Sequence, residues 1–309
     1  MLRLFGKSTI IQVAIILAAL ALMWARPLAH TAGTGTLAAI GGMILILLGG
    51  FLLNLMLSNV GLVSKNSLLP TLLYCIFMSA TATTLTPALV ANLIIVAILH
   101  LLLLRGTSLT ITTDKIFGST ALISIASMIY LPMLTFLIAY ILICINYRLY
   151  RWREWMVLIL GLLAPYILVW SYLFLTGGLK ASLLHMAGQL SDIGIRTEPI
   201  APLRTAALVL LIAMLVVSIV SLWLKLGEKT VIWKKNAITV MLPTVSGLGA
   251  LLYTSLFPVN LQFFAVPFAL CGTHLFTLQE RNVFRQSRPW QQRVNDILFV
   301  LLILAAIVC

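Results

Sequence analysis

Long apolar runs separated by short polar breaks organise this chain. Residues 8–25, 37–57, 88–104 and 204–224 are apolar stretches, each near the ~17–25 residues that cross a bilayer as a helix. A further run opens at Pro70 and ends in the Thr-rich patch 81–87. Breaks fall at 26–36, at the polar hinge 58–69, and at the link 107–115. Glycine pairs at 41–42 and 49–50 predict close helix approach in the second run. Asn54, late in the same run, predicts a helix–helix hydrogen bond. After residue 224 the pattern gives a basic loop at 225–236 and a pair of spans hinged at Phe257-Pro258. A basic loop at 279–293 and a last span ending at Cys309 follow.

The stretch 115–178 is the main landmark. Two short apolar segments, 116–130 and 132–145, meet at Tyr130-Leu131-Pro132. Pro132 has no N–H and biases Leu131 away from helix, so the break is expected there. At 1.5 Å per residue a ~15-residue helix reaches only ~22 Å, short of a ~30 Å hydrocarbon core. The pair is therefore expected inside the bundle, with its turn below the outer membrane surface and its backbone satisfied by neighbours. Ser124, Ser127 and Tyr130 predict a mildly polar stripe facing a cavity. A basic aromatic knot at 146–155 and a full-length span up to Gly177-Gly178 complete the landmark.

Composition fixes the class. The chain is 62% hydrophobic and 9% charged, with mean hydropathy +1.13, against about 25% charged residues in soluble domains. An all-α polytopic transmembrane bundle of about eleven crossings is expected, with residues 1–309 forming one integral membrane domain. The first run is read as a retained helix rather than a cleaved leader, because no convincing small-residue cleavage site follows it.

The net charge of +13 is read as topogenic, and no nucleic-acid partner is expected. Alternate loops gather Arg3, Lys7, Lys65, Arg105, Lys115, Arg148, Arg151, Arg153, Lys225, Lys229, Lys234, Lys235, Arg281, Arg285, Arg288 and Arg293. The opposite loops hold only Arg26, Lys180, Arg196 and Arg204. The positive-inside rule then places the N-terminus in the cytoplasm and the C-terminus in the periplasm of an inner membrane. Counting the Pro132 break as one crossing would invert every later loop and spoil this bias.

Residues 179–203 form the expected periplasmic loop. Leu179, Leu183, Met186 and Leu190 recur at helical spacing, with Lys180, His185 and Gln189 on other faces, which suits a helix lying flat in the interface. Acidic residues avoid the middle of every span, which weighs against ion-coupled pumps. No H-E-x-x-H, Walker A, G-x-S-x-G or CxxC motif occurs, so no metal and no cofactor are expected. His100 and His274 read as interfacial packing residues. Cys75, Cys144, Cys271 and Cys309 read as unpaired apolar fillers.

Residues 68–178 resemble the middle of the GT-C class of glycosyltransferases, which use polyprenyl-phosphate sugars. The likeness rests on Thr86-Pro87 before a long helix, the short pair around Tyr130-Leu131-Pro132, and the Arg151-Trp152-Arg153-Glu154-Trp155 cluster. The helix carrying Gly161 and Pro165 and the amphipathic segment after it add to it. The chain also resembles a family of polytopic inner-membrane proteins of Gram-negative bacteria, which brings no activity with it. The GT-C likeness implies a protein handling lipid-linked sugar or polyprenyl-phosphate on the periplasmic face. One departure is clear, because GT-C enzymes place an acidic residue in the first outer loop and residues 26–36 contain none. The resemblance then implies a metal-independent transferase or ligase, or a catalytically degenerate relative, and names no catalytic residue. Cations would hold the lipid phosphate, and Arg26, His30, His185, Arg196 and Arg204 are the outer-side residues fit for that. A transporter or flippase, and a non-enzymatic membrane subunit of an envelope assembly complex with membrane-protein partners, remain as alternatives.

Overall fold

The computed structural model describes residues 9–30, 34–64, 67–82, 85–103, 111–191, 202–251, 259–285 and 300. Those residues are mostly helical, with no strand among them. The helices are α1 (Thr9–His30), α2 (Thr34–Asn59), α3 (Leu69–Thr81), α4 (Pro87–Leu103), α5 (Thr113–Ile129) and α6 (Phe136–Asn146). They continue as α7 (Trp152–Leu175), α8 (Leu179–Ser191), α9 (Pro202–Lys225), α10 (Val231–Met241), α11 (Pro243–Ala250) and α12 (Ala265–Arg285). Among the described residues three 3₁₀ turns, Leu131–Thr135, Leu226–Glu228 and Val259–Phe264, join α5 to α6, precede α10 and lead into α12. Among the described residues four helical stretches are long and apolar enough to cross a membrane: Gly35–Asn59, Trp152–Leu175, Thr205–Glu228 and Val259–Phe276. Shorter apolar helices accompany them.

The buried axis of the bundle is α3, every residue of which is buried. From α1, Gln12 accepts from the Leu68 N–H at 2.9 Å, and the Trp24 indole donates to Ser79 Oγ at 3.1 Å. From α2, Gly49 and Gly50 let the backbone close on α3. A Cβ at Gly49 would stand 2.8 Å from Tyr74 Oη, and one at Gly50 would stand 3.0 Å from Thr71 Cγ2. Thr71 Oγ1 in turn donates to the Gly50 carbonyl at 3.1 Å. The other pair behaves differently, since a Cβ at Gly41 would make only ordinary contact with Leu85. On a further side, α12 presses Phe268 against Phe77 with ring centroids 5.0 Å apart.

The chain reverses at Pro132. Ser119 on α5 and Tyr140 on α6 lie 2.6 Å apart through their hydroxyls, so the two helices run back alongside one another. Of this pair α5 is covered by α7, whose Gly161 removes the side chain that would meet Thr120 Oγ1 and the Phe117 carbonyl. Ser127 and Tyr166 share a hydrogen bond of 2.7 Å across the same contact. Beyond this contact α7 is peripheral, with Ile167, Leu168, Tyr172, Phe174 and Leu175 exposed, whereas Val259–Phe276 is largely buried. Apolar residues on that scale stay exposed stably when lipid covers them.

Several sequence expectations are corrected. The loop expected at 26–36 is helical as far as His30, with Arg26 and Pro27 inside α1. The loop expected at 225–236 ends at Thr230, so Lys234, Lys235 and Asn236 belong to α10. The loop expected from residue 279 is helical as far as Arg285. Lysine and arginine are good helix formers, so basic stretches beside the spans extend the helices, and Thr230 caps α10 by accepting from the Trp233 N–H at 3.4 Å. Pro243, read as part of an unbroken span, instead separates α10 from α11. Asn54, expected to bridge helices, has its Oδ1 buried without a partner. The Phe257-Pro258 hinge, Cys309 and nearly all of the last span lie outside the described residues.

Candidate functional site

Where helices break inside an apolar bundle, peptide groups lose their intrahelical partners and must find others. Here the break at Pro132, the end of α11 and the turn before α12 come together, and neutral side chains stitch them. The Tyr130 phenol, at the end of α5, donates to Asn260 Oδ1 in the turn before α12. Asn260 Nδ2 donates to the Ala250 carbonyl at the end of α11, at 2.8 Å. Thr135 Oγ1 donates to the Ser246 carbonyl in the middle of α11, at 2.9 Å. From the other side, Asn92 Nδ2 on α4 donates to the Gln262 carbonyl, and Asn92 Oδ1 accepts from the Tyr74 phenol at 2.9 Å. The rings of Tyr130 and Phe263 stack at 6.3 Å.

Close packing holds this seam in register. A Cβ at Gly247 would meet the Phe264 ring at 2.7 Å, and one at Gly249 would meet Thr135 Cβ at 3.1 Å. Within the seam one group is left over. Gln262 is 1% exposed, and both its Oε1 and its Nε2 lack a hydrogen-bond partner. A buried amide in that state costs about 1–3 kcal/mol for each unmet group. Ser124 Oγ, 0% exposed, is likewise unpartnered. The stripe Ser124, Ser127 and Tyr130 thus divides, with Ser127 bonded to α7, Tyr130 bonded to the seam, and Ser124 free.

The seam consists of neutral amides, phenols and hydroxyls. It offers donors and acceptors to hydroxyl or amide groups, and among the described residues it lacks a titrating side chain suited to acid–base work near neutral pH. A second neutral tie lies at one end of the bundle. Asn146 Nδ2 donates to the Lys235 carbonyl at 3.1 Å and lies 3.3 Å from Thr239 Oγ1. The Tyr147 phenol donates to Asn236 Oδ1 at 3.0 Å. Burial holds that phenol above its ordinary pKa. The His274 ring packs edge-on against Trp233 at 5.1 Å, and His100 Nδ1 is buried without a partner. Cys75, Cys144 and Cys271 are free and buried.

The five residues expected to hold a lipid phosphate are placed only by their backbones. Arg26 and His30 lie near the C-terminal end of α1, His185 lies in α8, and Arg204 lies in the first turn of α9. Their side chains and the whole of Arg196 lie outside the described residues. The seam was missed by sequence reasoning. Its signal was present as isolated neutral polar residues, Asn92, Asn260 and Gln262, in otherwise apolar runs. Comparison with protein-family models, with curated proteins and with solved structures finds no match to this chain.

Proposed function

We propose that this is a multi-pass inner-membrane protein that binds a lipid-linked sugar, its neutral seam taking the sugar hydroxyls. The observation that carries the reading is Gln262, a buried amide with both polar atoms unmet in the 3₁₀ turn before α12, where Asn260 ties that turn to Tyr130 and to the end of α11. Sugar hydroxyls both donate and accept, which is what a side-chain amide requires. Neutral partners also avoid the desolvation cost that a charged site would carry at this depth. The hairpin at Pro132, the long α7 behind it and α8 after that agree with the GT-C-like order of elements. In this reading the chain makes about eleven crossings, N-terminus cytoplasmic and C-terminus periplasmic. Arg26, His30, His185, Arg196 and Arg204 hold the polyprenyl phosphate on the periplasmic side.

The test is a thermal-shift comparison on the full chain in nanodiscs, with polyprenyl-phosphate glucose and sugar-free polyprenyl phosphate as probes. The sugar-bearing lipid is expected to raise the Tm further, and Gln262→Leu is expected to erase the difference. Neutralising Arg196 and Arg204 together is expected to weaken the response to both lipids. Equal shifts with and without the sugar would remove the reading.

A second reading, a flippase for the same class of lipid, is favoured by the discontinuous helices themselves. Breaks near the middle of a bundle are where transporters place substrate and hinge their halves. Movement of a fluorescent polyprenyl-phosphate sugar between leaflets of proteoliposomes separates transport from transfer.

A further inference from the structure

Topology requires only that positive charge be counted on the correct loops. It does not require two of those loops to be bonded to each other. Here the α6–α7 turn and the start of α10 are joined through Asn146 to Lys235 and Tyr147 to Asn236. Lys235 Nζ sits 5.8 Å from the centre of the Tyr147 ring. The junction brings Arg148, Arg151 and Arg153 of one loop to the same end of the bundle as Lys229, Lys234 and Lys235 of the other.

The turn that displays the first of these is costly. Arg148 has φ 59°, and its N–H bonds to the Ile145 carbonyl at 2.9 Å while Leu149 N–H bonds to the Cys144 carbonyl at 3.0 Å. That is a Schellman ending, whose left-handed position glycine fills most easily because any Cβ there is crowded. An arginine in its place points to use of the side chain. Tyr147 and Leu149, flanking it, are 6% and 4% exposed, so they pin the turn while Arg148 is exposed.

Aromatic residues alternate with the charges. Tyr150 is 67% exposed and Trp152 is 76% exposed, and such rings settle at headgroup depth in a bilayer. The nearest acid on this turn, Glu154, accepts from the Arg151 N–H at 3.1 Å. Glu228, on the 3₁₀ turn before α10, is exposed.

We propose that the joined turn and α10 form a headgroup site for anionic phospholipid, with Arg148, Arg151, Arg153 and Lys235 on the phosphate and Tyr150 and Trp152 seated beside it. A basic pocket between helices on the cytoplasmic side suits such headgroups. Arginine pairs with phosphate oxygens through two N–H groups at once. The site is separate from the seam and does not depend on the sugar reading.

The test reconstitutes the full chain in vesicles of phosphatidylcholine, alone or mixed with phosphatidylglycerol, and measures co-purified lipid by native mass spectrometry together with the Tm. Wild type is expected to retain phosphatidylglycerol and to gain Tm from it, but not from inorganic phosphate added to phosphatidylcholine vesicles. Arg148→Gly is expected to keep or raise the Tm in phosphatidylcholine, since glycine relieves the turn, and to lower phosphatidylglycerol retention about fivefold per charge removed. Arg151→Gln with Arg153→Gln, both exposed, provides a second variant that leaves the turn intact. Unchanged retention in both variants would overturn the proposal. Equal stabilisation by inorganic phosphate would overturn the assignment to a lipid.

Discussion

The Tyr130 phenol donates to Asn260 Oδ1 across 130 positions of sequence, and so ties the Pro132 hairpin to the turn that starts α12. Tyr130 is 7% exposed and Asn260 is 0% exposed, so water does not replace the bond when it is cut. Tyr130→Phe keeps the ring against Phe263 and removes only the hydroxyl. The expected loss is about 1–3 kcal/mol, because a buried acceptor loses its donor. A double-mutant cycle with Asn260→Ala is expected to give a coupling of ~0.6 kcal/mol and at most ~1.7 kcal/mol, the range for interhelical bonds in membranes. Additive single effects would show that the two residues are not bonded.

Gly161, the single glycine of α7, is predicted to resist replacement. Its missing Cβ would lie 2.1 Å from Thr120 Oγ1 and 2.8 Å from the Phe117 carbonyl. The hydroxyl can be removed by mutation, but the backbone oxygen cannot. Gly161→Ala is therefore expected to cost about 1–3 kcal/mol or more as α7 is pushed off α5, with Thr120→Ala restoring only part. Gly188→Ala on α8 meets nothing within 4 Å and is expected to be neutral or to stabilise by up to ~1 kcal/mol. Denaturant titration of the two variants checks the contrast.

Prolines show how far this fold can be read from sequence. Pro132 and Pro243 separate helices, whereas Pro27 and Pro165 lie inside them. Local chemistry is the same at all four, so what decides is whether partners exist for the freed backbone groups. At Pro132 the Met133 N–H bonds to the Tyr130 carbonyl, and Thr135 reaches the Ser246 carbonyl 111 positions away. The Pro132 break was legible because a short-helix pair also fitted the charge bias of the loops. The Pro243 break was not, since its surroundings come from α6 and the turn at Val259–Phe264. Amphipathic spacing did foretell α8, and Gly49-Gly50 did foretell a close approach. The pairing of Asn92 with the Gln262 backbone spans 170 positions, and no local pattern specifies it.

Topology is tested by placing single cysteines in a background lacking the native four. The loop charges predict that a cysteine at Gln189 is labelled by an impermeant maleimide added from the periplasm, and that one at Lys235 is labelled only after permeabilisation. The reverse pattern would invert the bundle. It would also move the basic turn at Arg148 to the periplasmic face.

Gln262 gives the sharpest separation between a binding group and a packing residue. Its Oε1 and Nε2 are both buried and unmet, so in the empty protein the side chain opposes folding. Gln262→Leu removes two unsatisfied polar groups at similar size. It is expected to stabilise the ligand-free chain by about 1–3 kcal/mol for each group removed, read as a higher Tm in phosphatidylcholine nanodiscs. A residue there only for packing would leave function intact after that gain. A residue that meets sugar hydroxyls would not, because leucine offers neither donor nor acceptor to them. The prediction is therefore a crossed outcome, with higher stability and loss of the extra shift from polyprenyl-phosphate glucose. Gln262→Asn supplies the check on chemistry, keeping the amide on a stem one methylene shorter and so restoring a fraction of the response. A Gln262→Leu protein with the wild-type response to the sugar lipid would show that the seam does not bind it.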